Sequence, residues 1–181
     1  MTQIKTLLHV EYLQQFLPGC PDKENGCCGP ASLTMCACYA ISRKPESNDI
    51  VSVLANLGHR LDGTGGGTRW TELLGAGKEV FGLDGLAKEI WGIDEIKSEI
   101  AQGRPVIIGL KSGFLTNRNY EFAGGHYVAA VGFDSDHIIC LDPAARSSEP
   151  FYYSNTDMHS AMIELGENVP NGVMHGFSVK T

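Results

Sequence analysis

An α+β fold is the expectation from this 181-residue sequence, and three observations lead to it. Helical periodicity governs roughly residues 28–102. Beyond Pro105 the apolar pattern shortens to strand-length runs that continue to about residue 180. Helices first and strands afterwards separate α+β from an alternating α/β chain. Composition agrees: hydrophobic residues make up 43%, charged residues 19% against about 25% in an average domain, and glycine numbers 22. That mixture suits a compact, loop-rich core and not a coiled coil. No repeat, low-complexity run or linker divides the chain, so a single domain over 1–181 is expected, with a helical lobe about 28–102 and a sheet lobe about 105–180.

Element by element, a short extended stretch around His9 to Tyr12 precedes a polar loop, Pro18 to Gly26. Gly29 and Pro30 then open an apolar segment, Ala31 to Ile41. Proline at the first helical position, with Leu33, Cys36, Ala37 and Ala40 at i, i+3, i+4 and i+7, predicts a buried helix. A second helix is expected from about Asp49 to Leu57. The glycine run Gly63 to Gly67 leads to Thr68, a suitable N-cap for a short helix carrying Trp70, Leu73 and Leu74. Ile93, Ile96 and Ile100 mark an amphipathic helix stopped by Gly103. Strands follow at Val106 to Leu110, His126 to Phe133, His137 to Leu141, Phe151 to Tyr153 and Val173 to Val179. The Asp-Ser-Asp segment between the second and third of these predicts a hairpin.

A net charge of −7 argues against nucleic-acid binding, which usually needs a basic face. No apolar run is long enough to span a membrane. The N-terminus lacks the apolar core and small-residue cleavage site of a signal peptide, so synthesis in the cytoplasm is expected, with most thiols reduced. Six cysteines are present, and Cys20, Cys27, Cys28, Cys36 and Cys38 cluster in one segment while Cys140 stands alone. The cluster has no Cys-x-x-Cys pair, and Cys36 and Cys38 on a helix would point about 200° apart. Structural zinc is therefore disfavoured and no metal or cofactor is expected. Cys36, Cys38 and Cys140 read as small core residues. Cys20 and Cys27 stay unassigned, with a disulfide open to them on oxidation. The glycine run lacks the lysine and preceding strand of a phosphate loop, and reads as an ordinary loop. His9, His59, His137, His159 and His175 have no ligand-like spacing.

Cys28 differs from the other cysteines in its setting. It lies directly before Gly-Pro at a helix start, where free amides and the helix dipole favour a thiolate. Gly29 would let a substrate backbone approach. A thiolate nucleophile needs a base, and the base needs an orienting acceptor. His126, after Gly124 and Gly125, opens one hairpin strand, and those glycines would clear space for a substrate chain; Asp142 closes the other strand. Because side chains alternate with period 2, His126 and Asp142 share a face only if the hairpin has an odd loop or a bulge. Asp134 to Asp136 as the loop would pair Val128 with Asp142 and meet that condition.

Five ordered blocks carry a resemblance: Val10-Glu11-Tyr12-Leu13-Gln14-Gln15, Cys28-Gly29-Pro30-Ala31-Ser32-Leu33, Gly103-Arg104-Pro105-Val106, Gly124-Gly125-His126-Tyr127-Val128 and Leu141-Asp142-Pro143. Together they resemble the papain-like cysteine peptidases of the double-glycine leader (bacteriocin-processing) family and their stand-alone relatives. The resemblance implies a papain-like fold and hydrolysis of a peptide bond through a thioester. It implies Cys28 as nucleophile, His126 as base, Asp142 as its orienter and Gln15 as the oxyanion-hole donor. Glu11 where the family often has proline, Cys27 beside the nucleophile and the long Phe16 to Gly26 loop depart from the pattern. No transporter domain follows, so the exporter-linked role is not implied. The expected substrate is a peptide, either a protein segment or a cell-wall cross-bridge. The latter would suit a phage-type lysin or tail-associated hydrolase, virion-associated or released by lysis.

Three other readings stand beside the hydrolase. The same fold could serve as a non-catalytic peptide-binding module, or the same site could carry out acyl transfer or deamidation. A redox sensor using the adjacent Cys27 and Cys28 is the third, although adjacency favours strain over an easy disulfide. Oligomeric state has no signature in the sequence.

Overall fold

The computed structural model describes residues 5–16, 27–58, 68–89, 92–165 and 173–178, with the backbone alone over 85–89 and 173–178. The expected loop Pro18 to Gly26, the run Gly63 to Gly67, Cys20, His59 and Trp91 lie outside the described residues. Five helices are described: α1 (Cys28–Ala40), α2 (Ser47–Asn56), α3 (Trp70–Phe81), α4 (Ile93–Ala101) and α5 (Asn155–Leu165). The strands are β1 (Thr6–Leu7), β2 (Asp84–Glu89), β3 (Val106–Lys111), β4 (Gly125–Phe133), β5 (His137–Leu141), β6 (Phe151–Ser154) and β7 (Val173–Ser178). They form one sheet in the order β2-β7-β3-β4-β5-β6, with β1 added on β4, and every pairing is antiparallel.

Alternation along the central strands divides the core into two. Ile107, Ala129, Val131 and Leu141 pack against α1 to α3, with Leu33, Met35 and Leu73. Val106, Ile108, Leu110, Val128 and Ala130 face the other way and meet Ile96 and Ile100 of α4 and Met158 and Ala161 of α5. Both faces of β3 and β4 are covered, so these strands are apolar without interruption, as fully buried strands are. α1 is buried on nearly every side, which is why its apolar residues form no single stripe. Complete burial of a side chain such as Leu33 or Met35 contributes about 1.5–3 kcal/mol.

Two elements depart from the helices-then-strands order. β2 lies within the expected helical part. Its sequence, Asp-Gly-Leu-Ala-Lys-Glu, has no β-branched residue, and its strand state comes from pairing with β7. α5 lies within the expected sheet part. Its signal is Met158, Ala161 and Met162 at i, i+3 and i+4, preceded by Ser154, whose Oγ accepts from the Asp157 N–H at 3.0 Å. The helix over Trp70 is longer than expected, reaching Phe81, and the strand near His9 is instead β1 at Thr6–Leu7. α4 ends as expected before Gly103, which takes the left-handed φ of +81°. α1 begins at Cys28, so Pro30 is its third residue and not its first. Proline is tolerated there because first-turn amides have no intrahelical partner.

Candidate active site

A single turn organises the site. Asp142 and Pro143 leave β5, and the Ala145 N–H donates back to the Asp142 carbonyl at 3.1 Å. The Ala144 N–H also donates to Asp142 Oδ1 at 3.0 Å, which holds the carboxylate over its own turn. The Pro143 carbonyl then accepts the Gln15 N–H at 3.0 Å, bringing the N-terminal segment against the end of β5.

The β4–β5 hairpin meets the parity condition by a bulge. Near the turn, Phe133 faces Ile138 and Gly132 faces Ile139, so four residues separate the paired positions. The Asp134 N–H donates to the His137 carbonyl at 3.2 Å, and the Asp134 carboxylate caps the turn by accepting the Asp136 and His137 N–H groups at 2.7 Å each. That even turn alone would put His126 and Asp142 on opposite faces. Between Gly132 and Ala130 the register shifts, leaving Val131 as the extra residue, and Ala130 faces Cys140 while Ala129 faces Leu141. Continued one step, this register places Val128 level with Asp142 and returns His126 to the same side as the aspartate.

There the two side chains meet. His126 Nε2 donates to Asp142 Oδ1 at 2.8 Å, with His126 only 3% exposed and Asp142 fully buried. The Cys28 thiol interacts with the same ring, and each group shifts the ionisation of the other. Burial alone pushes the Cys28 thiol up. The hydrogen bond and charge of His126, followed by the Tyr127 and Gly29 amides, outweigh it and hold the thiol below its usual range. Burial alone would lower His126. The charge and hydrogen bond of Asp142, then the thiol, win and raise it to about 10. Both shifts favour one state, a thiolate beside an imidazolium.

The Peptidase_C39-like family matches residues 7–164. The chain belongs to that family. Its fold agrees with the solved structure of a C39-like peptidase candidate from Bacillus anthracis, at a TM-score of 0.72 and 17% identity over 99% of this chain and 98% of that one. No curated protein matches. The α+β, papain-like architecture implied by the sequence blocks is therefore the one observed. At the family level the chain is a C39-like cysteine peptidase.

In this C39-like chain two residues of the site escaped the sequence reading. Tyr120 and Tyr153 both donate their hydroxyls to Asp142 Oδ2, at 2.8 and 2.9 Å. With His126 and the Ala144 amide, four donors surround one buried carboxylate. Burial would raise the Asp142 pKa, but the charge and hydrogen bond of His126, then Tyr120 and Ala144, hold it below the usual range. Tyr153 reads in the sequence as one aromatic of a Phe-Tyr-Tyr strand. The available signal was that a fully buried tyrosine needs a partner for its hydroxyl.

Gln15 is 4% exposed, and among the described residues its Oε1 has no hydrogen-bond donor. The three glycines expected at the substrate cleft differ in their surroundings. A Cβ on Gly29 would meet Leu73 and Tyr127 at 3.3 Å, one on Gly124 would meet Phe122 at 2.6 Å, and one on Gly125 would meet Leu165 at 3.4 Å. Side chains of the protein itself crowd Gly29 and Gly124, whereas the contact at Gly125 is an ordinary one. Cys36, Cys38 and Cys140 are free and buried, and burial raises each thiol, that of Cys38 to about 11. Cys27 is disulfide-bonded, one of the outcomes left open for it above. Cys28 is free, and the adjacent pair is not bonded to itself. Among the described residues no three His, Cys, Asp or Glu side chains are grouped to hold a metal ion, and no helix is long and apolar enough to cross a membrane.

Proposed function

We propose that the chain, acting as one domain, hydrolyses a peptide amide bond through a thioester on Cys28. The Cys28 sulfur attacks the carbonyl carbon, forming the C–S bond. Charge that develops on the carbonyl oxygen is taken by the Gln15 side-chain amide and the Cys28 N–H. His126 gives its proton to the leaving nitrogen as the C–N bond breaks. Water then attacks the thioester, His126 accepts the water's proton, and the thiolate departs. Asp142 orients the imidazole throughout and stabilises its charge. The substrate class is a peptide or a cell-wall peptide cross-bridge. The observation that carries this reading is the buried His126–Asp142 hydrogen bond, with the Cys28 thiol coupled to the same imidazole.

Alkylation with iodoacetamide tests it. Cys28 should be modified selectively below about pH 7, since the buried thiols of Cys36, Cys38 and Cys140 are held protonated. In His126→Ala the thiol loses the partner that lowers its pKa, so its alkylation should become slow at pH 6 and recover only in alkaline buffer. Uniform slow labelling in the native protein, or a rate indifferent to His126→Ala, would sink the nucleophile assignment.

A further inference from the structure

A cavity of about 520 Å³ opens beside the site. Gln15, Phe16, Tyr120 and Phe122 line it, and Glu121 and Arg146 contribute its charges. Its place follows from the site geometry. Tyr120 and Phe122 stand edge-on to His126, with ring centroids 5.6 and 6.4 Å away. The side chains packed about Gly29, Leu73 and Tyr127, are not among its lining. If His126 protonates the leaving nitrogen, the chain beyond that nitrogen departs across the imidazole and into this cavity.

Arg146 is held there in an unusual way. Its backbone φ is +51°, a left-handed value that is strained for a non-glycine residue. The Asp142-Pro143 turn and the Asn119 Nδ2 hydrogen bond to the Ala145 carbonyl, 2.9 Å, support that conformation. The guanidinium lies over the Phe16 ring, 4.2 Å from its centroid. The side chain is exposed, and among the described residues it forms no ion pair. A stacked guanidinium keeps its N–H edges free, and those edges match a carboxylate in bidentate geometry.

We propose that this cavity is the leaving-group subsite and that Arg146 selects a leaving peptide bearing a carboxylate near the cut, above aromatic walls that accept an apolar side chain. The direction of the chain rests on the peptidase reading; the affinity for a carboxylate does not. The carboxylate can come from an acidic side chain or from a free C-terminus. Glu121 shares the cavity, so selection depends on the position of the charge and not on net charge.

Short peptides that mimic a released leaving group separate these cases by calorimetric titration, without any turnover. One pair is alanyl-phenylalanine as free acid and as amide. The other is alanyl-phenylalanyl-glutamate amide and its glutamine counterpart. At least one acid should bind about five- to tenfold tighter than its neutral partner. The pair that shows the difference identifies the source of the carboxylate. Arg146→Gln should bring the ratio within twofold, Arg146→Glu should reverse it, and Glu121→Gln should enlarge it. Equal binding within both pairs, a preference that survives Arg146→Gln, or no binding at millimolar concentration overturns the proposal. Loss of hydrolysis with the binding preference intact would count against the nucleophile alone. Hydrolysis without the preference would count against Arg146 alone.

Discussion

Cys28→Ala should reduce peptide hydrolysis by about 10⁴-fold or more while leaving the fold intact, because the residue replaced is the proposed nucleophile. Cys28 is the first residue of α1, is partly exposed, and belongs to neither of the two main apolar clusters. The thermal midpoint should therefore move little. Cys28→Ser makes the stricter comparison, since it keeps a nucleophilic atom in nearly the same position. The environment that holds the thiol low is not enough to ionise a hydroxyl, so the serine variant should be nearly as inactive as alanine. Turnover of an internally quenched peptide, with melting followed in parallel, reads both outcomes. Activity within tenfold of the native chain in either variant would remove Cys28 from the chemistry, whatever its ionisation.

The proposed nucleophile and base are legible in the sequence because each sits in a local pattern with its own physics. Cys28 stands at a helix start before Gly-Pro, and His126 and Asp142 stand at the ends of two strands joined by a short turn. Period-2 alternation went further and required an odd loop or a bulge. It could not place the irregularity, because Val131 is one of several apolar residues in a buried run and only the partner strand decides which one is extra. Tyr120 and Tyr153 were illegible for a related reason. They lie 22 and 11 residues from Asp142, in a loop and in the last strand of the hairpin side, and converge only through the sheet. β2 was missed because its pairing with β7, across about half of the chain, overrides a sequence with little strand propensity. α5 was within reach, since a capping serine and helical spacing were both present.

Asp142→Ala should have the largest combined effect on stability and rate. The carboxylate is fully buried and accepts from His126, Ala144, Tyr120 and Tyr153, so its removal strands four donors where water does not reach. Removing one partner of a buried charged pair costs about 3–5 kcal/mol, and loss of the oriented base should lower kcat/KM by about 10²–10³-fold. Asp142→Asn separates the two effects, since an amide fills the volume and still accepts from His126 but carries no charge. The Asp142 charge is the chief influence raising His126 to about 10, so the imidazolium persists until the pH climbs past that value. In the asparagine variant the His126 pKa falls, and the alkaline limb of the rate profile should move to lower pH. The stability difference between native and asparagine chains has its own sign. The Asp142 contribution exists only above its ordinary carboxylate range and fades as pH falls. The His126 contribution is complete below its ordinary value and fades as pH rises through about 10. The gap between the two chains should therefore be widest at mildly acidic pH, between the ordinary carboxylate range and the ordinary histidine value, and narrow toward both extremes. Tyr153→Phe supplies the control: it deletes one hydrogen bond to the charge, worth about 1.5–3 kcal/mol, yet keeps the contact between His126 and Asp142. It should lose stability with a much smaller loss of rate, and an alkaline limb unmoved in Asp142→Asn would show that the aspartate does not hold the imidazolium.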